Sequence, residues 1–155
     1  TEYHEKRITA KFICDRGVSH EFVRHRVFSF AQESTRYCNY SKDKFNNELT
    51  FIKPSWIGES IDSLNQEFRD TDRDDTSIFI RALRNAEEEY FTLLNNGWKP
   101  QQARQVLPNA TKTELVMTGF ESDWEHFLSL RTSKNAHPDA QQLSLKLREL
   151  LYDEK

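Results

Sequence analysis

The sequence predicts an α+β protein, a modest sheet with several flanking helices, and three observations carry that prediction. Two runs alternate apolar and polar residues as half-buried strands do. The stretches after each run repeat apolar residues at helical spacing, and glycines, prolines and capping residues punctuate the boundaries. The chain of 155 residues is the size of one ordinary domain, able to bury a core without disulfides or metals.

In residues 7–14, Ile8, Ala10, Phe12 and Cys14 alternate with Arg7, Thr9 and Lys11, which is the period of a strand. Gly17 breaks the chain, and residues 18–30 then read as a helix with Val18, Phe22 and Val23 on its apolar stripe. Residues 34–47 read as loop with short extended pieces, 49–52 as a strand stopped by Pro54, and 55–73 receive no assignment. Asp74, Asp75, Thr76 and Ser77 supply caps and early negative charge for a long helix, with Ile78, Ala82, Ala86, Tyr90 and Leu93 on one side until Gly97 ends it. Pro100 starts a short helix and Pro108 ends it, leaving Arg104 in its last turns. Thr111, Thr113, Leu115 and Met117 alternate with Lys112, Glu114 and Val116 as a second strand. Ser122 and Glu125 have capping-box spacing for a helix reaching Arg131, and Pro138 fits the first turn of a last helix carrying Ala140, Leu143, Leu147 and Leu150.

Only 36% of residues are hydrophobic while 30% are charged, so the helices are expected to have wet faces. A net charge of −3 argues against nucleic-acid binding by the chain as a whole and confines any anion site to a local arginine cluster. The two cysteines, Cys14 and Cys38, lack C-x-x-C pairing and are read as reduced thiols. No stretch has the length of a membrane span or the pattern of a signal peptide, which predicts a soluble, cytoplasmic protein without membrane partners. His4, His20, His25, His126 and His137 lack metal-ligand spacing, so no metal site is expected.

The triplet Arg24, His25, Arg26 is the first chemical signal. On the predicted helix each residue advances by about 100°, so the two arginines face nearly opposite ways and need separate tasks. After seven intervening residues come Ser34, Thr35 and Arg36, hydroxyls and a forked cation suited to a phosphate. Arg131 shares a helix face with Trp124, Phe127 and Leu128, so a guanidinium projects from an apolar stripe. Such a charge needs either a structural ion-pair partner or an anionic or polarisable ligand, and the spacing leaves both open.

The segment RHRVFSFAQESTRY resembles the signature of the flavin-dependent thymidylate synthases, and ARQVLP around Arg104 and HFLSLR ending at Arg131 resemble two further segments of that family in the same order. The resemblance spans nearly the whole chain. It implies the thymidylate synthase-complementing protein fold and a single catalytic domain over residues 1–155. It further implies conversion of dUMP to dTMP with a methylene group from methylenetetrahydrofolate and a hydride from reduced FAD, which NADPH recharges. Carried over by position, Arg24, His25, Arg26, Gln32 and His126 would contact FAD. So would Thr1, the last matching residue of a flavin-binding stretch that precedes the first strand in the family. Ser34, Thr35 and Arg36 would hold the nucleotide together with Glu21, Arg24, Gln32 and Arg104. Arg131 would polarise the uracil and serve as the catalytic residue. The family works as a homotetramer with shared active sites.

Phe120 and Ser122 stand where an asparagine and an arginine often contact the flavin, His126 where an asparagine or histidine is usual, and Ala31 where asparagine is common. These departures leave the nucleotide site largely intact and bear mainly on FAD binding. The alternative they raise is a noncatalytic nucleotide-binding module derived from this family. No cysteine nucleophile is implied, since neither Cys14 nor Cys38 has an evident base beside it in sequence.

Overall fold

A computed structural model describes residues 4–36, 40, 48–58 and 73–153. Thr1, Tyr37 and Cys38 lie outside the described residues, as do residues 41–47 and 59–72. By their internal contacts the residues group into two compact units, one of Thr1–Gln32 with Thr113–Lys155 and one of Glu33–Lys112.

The first unit is built on a three-stranded sheet in the order β1-β3-β2. In β1 (Arg7–Asp15), Phe12 and Cys14 are buried and the odd positions face outward, as the alternation predicts. The central strand β3 (Lys112–Phe120) buries Thr113, Leu115 and Met117 on the same rule. Strand β2 (Ser29–Gln32) pairs antiparallel to it, with Ser29 opposite Thr118 and Gln32 opposite Leu115. The core of this unit joins the sheet to α1 (Arg16–Phe22) and α4 (Glu121–Arg131) through Phe12, Phe22, Phe28, Trp124 and Phe127, and to α5 (Pro138–Arg148) through Ala140 and Leu147. A fully buried phenylalanine stabilises by about 1.5 to 3 kcal/mol. The Phe22 and Phe127 rings meet edge to face at 5.0 Å, and Trp124 donates its indole N–H to the Ile8 carbonyl at 3.1 Å.

Three sequence expectations are corrected in this unit. The helix expected over residues 18–30 is α1, which starts earlier and ends at Phe22. Asp15 caps it by accepting from the Val18 amide at 2.7 Å, so Gly17 lies inside the helix rather than ending a segment. After Phe22 the bonds shorten to a three-residue span, from Arg24 N to Glu21 O and from His25 N to Phe22 O, and the chain turns. Helix propensity loses here to the β3 ladder, which claims residues 29–32 and lets Phe28 enter the core. The triplet therefore lies in a turn, and the 100° argument for separating Arg24 from Arg26 does not apply. Finally, β3 passes straight into α4, which begins at Glu121. Asp123 Oδ2 accepts from the Phe120 amide at 3.0 Å, while the Ser122 amide and hydroxyl go to Glu5, so Ser122 is not the cap.

In the second unit, α2 (Asp75–Asn95) is capped by Asp74, which accepts from the Ser77 amide at 3.0 Å, and stops at Gly97 in the left-handed region with φ 90°. Its buried residues are Ser77, Ile80, Leu83 and Tyr90, whereas Ile78 and Ala82 are exposed. The expected face stepped by fours, which drifts about 40° per step, and the real face mixes threes and fours. Tyr90 packs with Tyr40, Leu49 and Ala103. A short helix α3 (Pro100–Ala103) opens on Pro100 and passes into a 3-10 turn at Arg104–Val106, as the two prolines suggest. The strand expected over 49–52 is reduced to a single bridge, Phe51 to Thr111, flanked by bonds from Ile52 N to Ala110 O and from Lys112 N to Thr50 O.

Candidate functional site

Arg131 is the last residue of α4, one turn beyond Phe127 and Leu128, which are buried. The aromatic core fixes the helix that carries it, and the guanidinium emerges where the apolar wall ends. Its Nε donates to His25 Nε2 at 2.9 Å, its Nη1 to Glu21 Oε2 at 2.5 Å, and its Nη2 to the Glu21 carbonyl at 2.9 Å. The last bond caps the C-terminal turn of α1, where a cation is favoured. The Arg131 side chain is 18% exposed and that of Glu21 38%. Of the two alternatives left open for this arginine, the ion-pair partner is present, and the residue also lines an open cavity of about 390 Å³ with His25, Ser129, Leu130, Ser133, Asn135 and Ala136.

His25 owes its position to the turn after α1, with its ring edge to face on Phe127 at 4.8 Å. Burial first, then the Arg131 charge and His126, push its pKa down from 6.5 to about 4. Accepting a bond at Nε2 has the same consequence, because an imidazole that accepts there must be neutral with its proton on Nδ1. The turn also leaves Arg24 and Arg26 exposed. Gln32 lies on β2 and donates its amide to Ser19 Oγ at 2.8 Å and Thr113 Oγ1 at 3.3 Å, tying strand to helix. His126 is exposed on α4. Glu21, His25 and Arg131 are thus brought into direct contact, while Gln32 is engaged in the fabric of the unit.

Ser34, Thr35, Arg36 and Arg104 all belong to the second unit. Ser34 Oγ accepts from the Arg36 amide at 3.3 Å, the local turn its residue type favours. Arg36 Nε donates to Gln101 Oε1 at 3.2 Å, and Arg104 Nη1 reaches the buried Thr35 hydroxyl at 3.4 Å. Four residues from two distant sequence segments thus form one cluster of hydroxyls and guanidinia.

Sequence reasoning did not anticipate Glu21 as the ion partner of Arg131, and no signal links residues 110 positions apart. Nor did it single out Ser133 and Asn135 as cavity residues. Burial, then Asp15, raises the Cys14 thiol to about 12, so it is not a nucleophile near neutral pH. Among the described residues no group of three or more His, Cys, Asp or Glu could hold a metal ion, and no helix is long and apolar enough to cross a membrane.

The described residues thus combine an α+β scaffold, a neutral histidine beside an arginine set at the end of an aromatic wall, and a separate cluster of hydroxyls and guanidinia. The sequence comparisons narrow this further: the family model described as thymidylate synthase complementing protein matches residues 5–154, and the chain belongs to that family. It is 34% identical over 142 residues to a flavin-dependent thymidylate synthase of Corynebacterium aurimucosum, covering 90% of this chain and 55% of that protein. Proteins of the same name from Corynebacterium efficiens and Geobacter sulfurreducens are 37% identical over 126 residues and 27% over 136. Those two matches cover 78% and 88% of this chain, and 47% and 52% of the relatives. The chain spans about half the length of the curated relatives it matches.

Proposed function

We propose that this chain carries the nucleotide-handling core of an FAD-dependent thymidylate synthase, converting dUMP to dTMP in the cytoplasm with methylenetetrahydrofolate as carbon donor and NADPH as reductant. The α+β arrangement is read as the thymidylate synthase-complementing protein fold, assembled as a homotetramer whose copies share active sites. One observation carries the reading: Arg131 stands at the edge of an aromatic wall, oriented by three hydrogen bonds, and lines an open cavity beside a neutral imidazole.

Uracil C5 becomes nucleophilic when negative charge on its N3 and O4 edge is stabilised, and a fixed guanidinium with little water around it does this strongly. Arg131 is given that catalytic role. Ser34, Thr35, Arg36 and Arg104 hold the nucleotide, through the hydroxyls and forked cations that suit a phosphate. Arg24, His25 and Arg26 are assigned to FAD, with Gln32, His126 and Thr1. The fit is chemical: exposed guanidinia on the turn suit the cofactor's phosphates, and a neutral ring beside the cavity suits a flat heteroaromatic. FAD when bound supplies the hydride, and the protein's share is to orient the base and stabilise charge. Cys14 is held as a thiol and is assigned no nucleophilic role.

Purified full-length protein should show flavin absorbance and oxidise NADPH in a dUMP-dependent manner. Protein that binds dUMP yet stays colourless with added FAD would leave only a noncatalytic nucleotide-binding module.

A further inference from the structure

We propose that the Glu21 carboxylate is a resident counter-ion, holding Arg131 until an acceptor on the ligand takes its place, and that it thereby lowers the affinity of the cavity for acceptors that carry no negative charge. The inference rests on the reading of Arg131 as the guanidinium that meets the uracil edge. It changes the part of Glu21 from a nucleotide ligand to the group the nucleotide displaces.

Three acceptors hold Arg131, and they differ in kind. His25 Nε2 is neutral and fixed, because its ring is packed on Phe127. The Glu21 carbonyl is neutral and fixed, because it belongs to the last turn of α1 and also accepts from the Arg24 amide at 3.3 Å. Only the Glu21 carboxylate, which accepts through Oε2, is charged, and it sits at the tip of a partly exposed side chain. Moving that carboxylate aside leaves the guanidinium aimed by the two neutral acceptors, with its charge uncompensated. The part of the site that gives orientation is thus separate from the part that gives charge balance.

Such an arrangement has a consequence for binding. A ligand that reaches Nη1 breaks one charge-assisted bond to make another, so the net gain is small unless the ligand brings negative charge of its own. A neutral acceptor, such as the uracil edge before reaction, gains little from the exchange and binds weakly, and its bond to Arg131 strengthens only as negative charge develops on it. Glu21 therefore costs affinity and adds discrimination, which is specificity by competition. A purely structural ion pair predicts the opposite sign: weakening it would loosen Arg131 and lower affinity.

The test is equilibrium binding of dUMP to the full-length, FAD-loaded protein by calorimetry, with Glu21→Gln, Arg131→Ala and the double variant. Glutamine keeps the shape and an acceptor oxygen but removes the charge. The exchange predicts about fivefold tighter binding in Glu21→Gln, the scale of a partly exposed ion pair. It also predicts loss of at least tenfold in Arg131→Ala and no gain from Glu21→Gln in the double variant. If Arg131→Ala loses binding while Glu21→Gln is unchanged or weaker, the counter-ion is overturned and the role of Arg131 stands. If Arg131→Ala binds dUMP as wild type does, or if neither wild type nor Glu21→Gln binds it, the reading of Arg131 fails and the counter-ion fails with it.

Discussion

Acidification should destabilise the protein through His25, and the size of the effect follows from its surroundings. The folded protein favours the neutral ring: burial and the nearby Arg131 lower the pKa from 6.5 to about 4, and Nε2 is committed as an acceptor. The unfolded chain takes up a proton near the ordinary value, so between these limits it binds more protons than the folded state. Stability is complete above about pH 6.5 and is lost as the pH falls toward 4. The full depression corresponds to roughly 3 kcal/mol. Because the ring is only half-buried, water screens part of this, and about 1 to 2 kcal/mol is expected. The assay is urea denaturation of wild type and His25→Gln from pH 4 to 7, the glutamine keeping an acceptor for Arg131 without titrating. Wild type should lose that much more stability than the variant across the window. Parallel pH profiles for the two proteins would refute the argument, since His25 would then titrate alike folded and unfolded.

Gly119→Ala should destabilise by about 1 to 3 kcal/mol, because the new Cβ would lie 2.6 Å from two atoms of the buried Phe28 ring, itself 4.6 Å from Trp124. An unchanged urea midpoint would mean that the ring can yield. Ser34→Ala combined with Arg36→Ala should weaken dUMP binding by about tenfold or more while leaving the flavin spectrum and the melting temperature close to wild type. Equal nucleotide affinity in that double variant would remove both residues from the phosphate site.

The sheet was legible in the sequence because period-2 alternation is a local signal: Phe12 with Cys14, and Thr113 with Leu115 and Met117, turn inward where the pattern puts them. So were Gly97, Pro100 and Pro138, whose backbone preferences act within one turn. The turn at Arg24–His25–Arg26 was not legible, because it ends a good helical stripe for the sake of pairing β2 with a strand far along the chain. That error also removed the basis for assigning directions to Arg24 and Arg26. For the site, an apolar stripe ending in Arg131 was readable from helical spacing, but what the guanidinium touches was not. Glu21 and His25 meet it only through tertiary packing of α1 on α4, which no local pattern encodes. The start of α4 was misplaced for a similar reason, since Glu5 takes the Ser122 groups from a distance of 117 residues.

The most direct test of the chemistry assigned to Arg131 is transfer of a labelled methylene group to dUMP by full-length Arg131→Ala, supplied with FAD, NADPH and methylenetetrahydrofolate. A variant that keeps the wild-type flavin absorbance yet yields no labelled dTMP is the predicted result. Labelled dTMP formed at the wild-type rate would contradict it.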